Sequence, residues 1–363
     1  MNIEQLLNNY KDQFGEPDYV INLDPDFAIA VSLPIEEEEI FDTSFVTLGL
    51  SNKLLANNFE PCENILELEG ELDEDSCKLF AKEYSKFLIE RVNNGQFFKK
   101  NQIVNHSIKL FNNTPYFFIT PYDGYRSEWE TEAETISLLR FIPLHLEEAR
   151  ELERVNEKTR NILINACNLN WRMRERKSAK ITFEGVKGIW SKIESWYSEN
   201  TPSLLEELRP GTSIEKIHDL EKTLSVNLPT DLFNSLLIHD GNVYFNDYKY
   251  LTARQINIVW GALTQVKRED GFKNLPRHGN QNKIQNTWWD EKWIPFAEDG
   301  GGNCICVDLN PAKDGVVGQI IYWEIEEGPY VTEFVSFLDW LNDYKGKLEA
   351  GVYKVTDEGF LEE

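Results

Sequence analysis

The chain has 363 residues, of which 62 are acidic and 37 are basic, so its formal net charge at pH 7 is −25. This length predicts about two domains, and a hydrophobic fraction of 41% is enough to fill their cores. Nucleic acids and anionic membrane surfaces would repel such a charge. The composition therefore argues against both as direct partners and favours a basic one.

The five cysteines form no recognisable disulfide framework, which indicates a reducing compartment. The N-terminal residues lack the basic start and apolar run of a secretory signal. No stretch approaches the roughly 18 apolar residues that a membrane span requires. We therefore expect a cytoplasmic protein.

Residues 1–150 are predicted to form a mixed α+β domain. An apolar stripe predicts a short N-terminal helix, and a second stripe predicts a helix over 73–92. Short apolar and β-branched runs predict strands at 27–33, 44–50, 102–111, 115–121 and 135–143.

Residues 151–185 are predicted to be a charged helical linker, because opposite charges are interleaved at helical spacing. The segment contains a basic cluster, Trp171–Lys177. Two interpretations are open for this cluster: a nucleic-acid patch, or a strap that contacts the acidic surface of the protein itself. The overall charge favours the strap.

Residues 186–363 are predicted to form a second domain in which helices flank a sheet, so the fold class of the chain is α+β. Helices are expected at Ser191–Ser198, after a capping box of Thr212 and Glu215, and after Leu228–Pro229 up to Asp240–Gly241. The segments that follow are expected to be sheet. An apolar stripe that stops at Gly351 predicts a closing helix.

A strand, glycine turn, strand pattern occupies Trp293–Leu309, and Asp314–Trp323 adds another turn and a third strand. The two helices before this sheet and the helix entry Ser336–Leu341 after it complete an ordered set of motifs. The set resembles the SUKH superfamily over roughly residues 186–352. That superfamily includes yeast cell-wall-synthesis regulators and bacterial immunity proteins.

The first domain is similar to the suppressor-of-fused family. Ser44–Ser51 matches a family strand that ends in Gly-Leu-Ser, and Leu138–Leu144 followed by Glu147–Glu148 matches its terminal strand and helix entry. Both families occur as immunity proteins, and neither is known for catalysis. The paired resemblance implies a non-enzymatic immunity protein that neutralises a cognate bacterial toxin, expected to be a basic nuclease-type protein. A regulatory interaction scaffold is the alternative, and a hydrolase with an unrecognised site is the third hypothesis.

No catalytic, cofactor or metal site is predicted. The glycines at 300–302 indicate a hairpin turn rather than a phosphate loop, because a strand and not a helix follows them. Cys304 and Cys306 face the same way on a strand but lack further ligands at metal-binding spacing. His239–Asp240 is expected at the end of a helix.

Strand alternation predicts the partner-binding surface. The predicted core face carries Ile305, Val307, Leu309, Ile321, Trp323 and Ile325. The opposite face mixes carboxylates with aromatic and small apolar groups, which suits a basic protein partner. The candidate partner-binding residues are Glu298, Asp299, Asp308, Tyr322, Glu324 and Glu326. The open alternative is a solvated face or one covered by a helix.

Three nearby tryptophans are also informative. We expect Trp293 in the core, and one of Trp288 and Trp289 at the rim of the binding face, because their directions alternate.

Overall fold

The computed structural model describes residues 2–35, 42–131, 134–167, 169–173, 176–273, 275, 282–356 and 361–363. It divides into two compact units. The first unit combines residues 1–157 with 169–180, and the second combines 158–168 with 181–363. The segment predicted as a linker, 151–185, is therefore shared between the two units. Both units mix helices with sheets, so the predicted α+β class is confirmed.

The first unit is built on a large sheet in the order β1-β2-β3-β4-β8-β6-β5, with β7 also paired to β8. The β4–β8 pair is parallel, and the other neighbours are antiparallel. The strands are β1 Tyr19–Asp24, β2 Phe27–Ser32, β3 Asp42–Leu48, β4 Cys62–Glu69, β5 Ile103–Asn105, β6 Tyr116–Pro121, β7 Glu128–Glu130 and β8 Thr135–Leu144. The helices are α1 Ile3–Phe14, α2 Leu50–Ala56, α3 Glu74–Asn93 and α4 Leu146–Glu153.

The helices α1 and α3 lie where their apolar stripes predicted, and each supplies one of two core clusters. Leu6 and Tyr10 of α1 pack in one cluster, while Phe80 and Tyr84 of α3 pack in the other. The strand predicted over 102–111 is largely wrong. Only Ile103–Asn105 pairs with β6, and a 3-10 turn follows at Lys109–Phe111.

The Gly-Leu-Ser turn after β3 is organised by a buried carboxylate. Glu63 accepts hydrogen bonds from the hydroxyls of Thr47 and Ser51 and from the backbone amides of Gly49, Leu50 and Ser51. Gly49 has φ +104, and a Cβ there would lie 2.1 Å from the Asp26 carbonyl oxygen. Burial raises the pKa of Glu63, although these donors oppose the shift.

The basic cluster forms the expected strap within the first unit. Arg172 pairs with Asp42, and Arg176 forms a buried two-point ion pair with Glu148. Burial would raise the pKa of Glu148, but Arg176 and the amides of Ala179 and His145 outweigh it and lower this pKa. Arg174 and Glu175 lie outside the described residues.

The second unit is built on an antiparallel sheet in the order β14-β13-β12-β11-β10-β9. The strands are β9 Tyr244–Phe245, β10 Tyr248–Tyr250, β11 Trp293–Glu298, β12 Cys304–Asp308, β13 Gln319–Glu324 and β14 Gly328–Val331, with a separate hairpin of β15 Lys354–Val355 and β16 Leu361–Glu362. The helices are α5 Glu157–Ala166, α6 Ile181–Asn200, α7 Pro202–Glu207, α8 Ile214–Leu224, α9 Thr230–Ile238, α10 Ala253–Arg268 and α11 Phe337–Glu349. No described helix is long and apolar enough to cross a membrane.

Three predictions in this unit need correction. The helix expected at Ser191–Ser198 is longer, since α6 begins at Ile181. The α8 N-cap is Ser213 rather than Thr212, since the Ser213 hydroxyl accepts from the Lys216 amide. The sheet expected after Gly241 is interrupted by α10, whose N-terminus is a capping box of Thr252 and Gln255. The predicted helices α9 and α11 are confirmed.

The helix α5 packs closely on α6. A Cβ on Gly188 would lie 1.9 Å from the Ala166 carbonyl oxygen, and one on Gly185 would lie 2.6 Å from a Leu163 methyl carbon. The Cys167 thiol donates to the Ile181 carbonyl at 3.3 Å. The second unit therefore includes the helix that precedes the strap.

Replacing Glu63 with alanine is expected to destabilise the first unit by on the order of 3 kcal/mol, because it leaves several buried donors without an acceptor. Urea denaturation followed by circular dichroism measures this loss. Replacing the exposed Glu71 with alanine is the matched control and should change little. An equal stability of the two variants would contradict the role given to Glu63.

Candidate protein-interaction site

The register between β12 and β13 determines which side chains share a face of the second sheet. Cys304 lies opposite Trp323, and Ile305 lies opposite Tyr322. Directly opposed residues in a sheet point to the same side. The prediction had placed Ile305 and Trp323 on the same face, so its register between the two strands is wrong by one residue. The residues expected in the core are therefore divided between both faces.

One face, here called the tryptophan face, is buried. Its centre is formed by Trp293, Cys304, Cys306, Ile321 and Trp323. Trp289 packs edge-on against Trp293 and Trp323 at centroid distances of 5.9 and 5.8 Å. Trp288 and Trp289 are both buried, so the prediction that one stands at the rim is wrong, while the prediction for Trp293 is confirmed.

Asp308 lies on the tryptophan face and is fully buried, which corrects its prediction as a partner-binding residue. Its carboxylate accepts hydrogen bonds from Trp293 Nε1 at 3.1 Å, Gln319 Nε2 at 2.9 Å and the Asn310 amide at 2.9 Å. Burial raises the pKa of Asp308 to about 6, against the opposing effect of these donors. Asp308 is thus a structural carboxyl group.

The opposite face is covered by α11 over part of its area. Phe296 packs against Phe337 and Trp340 of that helix at centroid distances of 5.1 and 5.0 Å. Beyond this contact the face opens, because Tyr322 and Glu324 are only half-buried and Tyr330 is 37% exposed.

The open part of this face is a patch of tyrosines and acids, defined by Asp299, Tyr322, Glu324, Tyr248 and Tyr330 and here called the tyrosine–acid patch. Tyr322 stacks on Tyr330 at 5.6 Å and meets Tyr248 edge-on at 5.7 Å. The Tyr330 hydroxyl donates to Glu324 Oε1 at 3.0 Å. Three aromatic rings therefore form one surface beside carboxylates.

Burial and the nearby carboxylates both affect the tyrosines of the tyrosine–acid patch. Burial, together with Asp299, Tyr322 and Glu324, raises the pKa of Tyr248 to about 12. Burial and Glu324 also raise the pKa of Tyr330. The hydroxyls therefore stay protonated at neutral pH, and only the carboxylates carry charge.

Asp299 also organises the glycine turn between β11 and β12. Its carboxylate accepts hydrogen bonds from the Gly301 amide and from the amide and side chain of Asn303. Burial acts to raise the pKa of Asp299, but these donors outweigh it and lower the pKa. Gly300 and Gly302 have positive φ, which agrees with the predicted hairpin turn.

The remaining candidate residues lie outside the patch. Glu298 is opposite Cys304 and Lys249, so it belongs to the other face. Glu326 is exposed in the β13–β14 turn. Ile325, expected in the core, is 49% exposed because the same turn begins there.

Tyr248 and Tyr330 were not predicted from the sequence, although short turns carry the signal for both. Residues 325–327 separate the opposed residues Glu324 and Gly328, which places Tyr330 opposite Tyr322. Asn246–Asp247 is a two-residue turn that begins the β10 strand at Tyr248. Pairing the residues on either side of each turn would have assigned both tyrosines to the face of Tyr322.

The described residues include no group of three or more His, Cys, Asp or Glu side chains that could bind a metal ion. Burial raises the pKa of Cys304 to about 12 and also raises that of Cys306 well above its ordinary value. These thiols stay protonated, so they are poor metal ligands and nucleophiles. The histidine expected at a helix end, His239, follows α9 directly and contacts Glu194 at 2.7 Å.

Replacing Asp308 with asparagine is expected to flatten the pH dependence of stability of the second unit. The folded-state pKa of about 6 lies above the ordinary value of 3.8. The stabilising contribution of this group is therefore present below pH 4 and is lost as the pH rises through 6.

Differential scanning calorimetry from pH 4 to pH 7 measures this effect. The wild-type Tm should fall over that range by more than the Tm of the Asp308→Asn variant. Asp314→Asn, at an exposed position, should behave as wild type. Parallel curves for wild type and Asp308→Asn would contradict the assigned pKa.

Comparison with known proteins identifies the C-terminal half. Residues 211–343 match the SMI1 / KNR4 family (SUKH-1). A glucan synthesis regulatory protein of Neurospora crassa is 30% identical over 198 residues, which cover 43% of this chain and 36% of that protein. The cell wall assembly regulator SMI1 of Saccharomyces cerevisiae is 26% identical over 212 residues, which cover 47% of this chain and 41% of that protein. The chain thus spans about two fifths of the length of these relatives.

Solved structures similar to the chain include suppressor-of-fused proteins. A homologue from Neisseria gonorrhoeae has 15% identity and a TM-score of 0.38, over 48% of this chain and 94% of its own. Drosophila Suppressor of Fused has 12% identity and a TM-score of 0.37, over 62% of each chain. From the family match, the C-terminal half of the chain contains a domain of the SMI1/KNR4 (SUKH-1) family.

Proposed function

We propose that this chain is a non-enzymatic regulatory protein that acts in the cytoplasm by binding another protein through the tyrosine–acid patch. The observation that carries the proposal is the partly exposed group of tyrosines and carboxylates on the SUKH-1 sheet. The relatives support a regulatory role, since they are named as regulators of glucan synthesis and of cell-wall assembly.

The chemistry of the patch favours a partner segment that combines Lys or Arg with apolar side chains. Tyrosine rings offer large, stiff contact surfaces and are enriched among the residues that dominate interface energies. The carboxylates of Asp299 and Glu324 would attract basic side chains, and these can lie over the rings of Tyr322 and Tyr330. The net charge of −25 would increase the rate of encounter with such a partner at low salt.

Toxin immunity is the second candidate function. The comparisons favour regulation over immunity, because the relatives reported above are fungal regulators. The acidic charge nevertheless suits the basic cleft of a nuclease-type toxin. Both functions use protein binding, so the nature of the partner distinguishes them.

A photo-crosslinking residue at position 330 is expected to trap a basic partner in cells of the source organism, whereas one at position 125 is not. Tyr125 is the matched control because it is an 83% exposed tyrosine in the first unit. The trapped protein is then purified and titrated with wild type and with a Tyr330→Ala, Glu324→Gln double variant. We expect about a tenfold loss of affinity in that variant, and weaker wild-type binding at higher salt.

Equal affinity of wild type and double variant, or trapping at both positions alike, would exclude the patch as the binding site. A trapped partner that kills cells when expressed without this chain would favour immunity. A partner that is not toxic, and whose activity changes on binding, would favour regulation.

A further inference from the structure

A pocket of about 580 Å³ lies in the first unit, between the C-terminal half of α3 and the segment after β5. Its walls include Phe87 and Arg91 of α3, together with His106 and Ile108. This volume is within the range of small-molecule sites, which are typically about 300–1,000 Å³.

The pocket lining has three basic and two acidic side chains, so one basic side chain has no acidic partner in the lining. Lys86 approaches Glu90 at 3.7 Å, and Lys109 approaches Glu83 at 3.8 Å. Arg91 makes no ion pair with the described residues. The lining therefore carries a local excess of one positive charge, in a chain whose net charge is −25.

The Arg91 guanidinium is held by aromatic rings instead of a carboxylate. It lies 5.9 Å from the ring centre of Phe87 and 5.8 Å from that of Phe98. Its Nε atom is buried without a hydrogen-bond partner, and burial lowers the pKa of Arg91. A buried donor in this state costs free energy unless an acceptor binds it.

His106, which lines the same pocket, adds no charge to it. The Ile108 amide donates to His106 Nδ1 at 3.3 Å, which places the ring proton on Nε2. That Nε2 is buried, and the ring donates a hydrogen bond to the Thr114 backbone, so His106 is not counted as a free donor for a ligand. Burial, which outweighs an opposing effect of the Thr114 backbone, lowers the pKa of His106 to about 4 and keeps the ring neutral at pH 7.

We propose that this pocket binds a small monocarboxylate with an apolar body. The planar fork of Arg91 suits a carboxylate, and a single negative charge matches the single unpaired cation. Phe87 and Ile108 supply apolar walls for the rest of the ligand. The site lies in the first unit, so it goes beyond the proposed function of the tyrosine–acid patch and does not depend on it.

The test uses the full chain labelled with 15N-arginine and sodium benzoate as the probe. Benzoate is expected to shift the Arg91 Nε–H signal saturably, with Kd on the order of 1 mM for a ligand of this size. The signal is assigned by its absence in Arg91→Gln. Benzamide, which has the same shape without the charge, should shift it at least tenfold more weakly.

Two variants distinguish the effect of the planar Arg91 guanidinium from that of positive charge in general. Arg91→Lys keeps the charge but loses the planar fork, so binding of benzoate by calorimetry should weaken about tenfold or more. Lys82→Gln, at an exposed position of α3 outside the pocket, should bind as wild type. Circular dichroism verifies that each variant is folded.

The proposal is overturned if the Arg91 signal does not move, if benzamide binds as well as benzoate, or if the Arg91→Lys variant binds equally. Inorganic phosphate is titrated in parallel. A stronger shift with phosphate than with benzoate would replace the carboxylate assignment with a phosphate site.

Discussion

The antiparallel register of β12 on β13 is the constraint on which the SUKH-1 sheet depends. Because side chains alternate strictly along a strand, this single pairing assigns every residue of the two strands to a face. It places Trp323 and Asp308 under the buried tryptophans, and it places Tyr322 with Tyr330 on the open side. A shift by one residue would bury Glu324 and expose Trp323, so the tyrosine–acid patch and the core are set by the same hydrogen bonds.

Three buried carboxylates of the chain are stabilised in three different ways. Glu63 is surrounded by hydroxyls and backbone amides, and Glu148 is neutralised by Arg176. Asp308 is bound by an indole and an amide side chain, without a cation. Among these three groups, the pKa of Glu148 alone is lowered, with the help of its guanidinium partner, whereas burial outweighs the hydrogen-bond donors and raises the pKa values of Glu63 and Asp308.

Periodicity in the sequence predicted α1, α3, α9 and α11, because each buries one clear stripe, and it predicted strands such as β2, β6 and β8 but not the central strand β4. It missed α10, where Ile258 and Val266 are exposed and blur the stripe that Ile256 and Trp260 form. Of the candidate site, Asp299, Tyr322 and Glu324 do lie together. Asp308 was misplaced because alternation along one strand shows neither the register with its neighbour nor whether helices cover both faces of the sheet.

The division of the chain between its two units limits how either unit can be exchanged by recombination. The backbone passes from one unit to the other three times, after residues 157, 168 and 180. The helix α5 precedes the strap along the chain and packs on α6 in the second unit. The strap then belongs to the first unit, where Arg172 and Arg176 form their ion pairs. Neither unit is a contiguous piece of the gene. A single recombination breakpoint near residue 150 or 185 would separate one unit from part of itself, so an exchange of either unit by recombination requires the strap to travel with the first and α5 with the second.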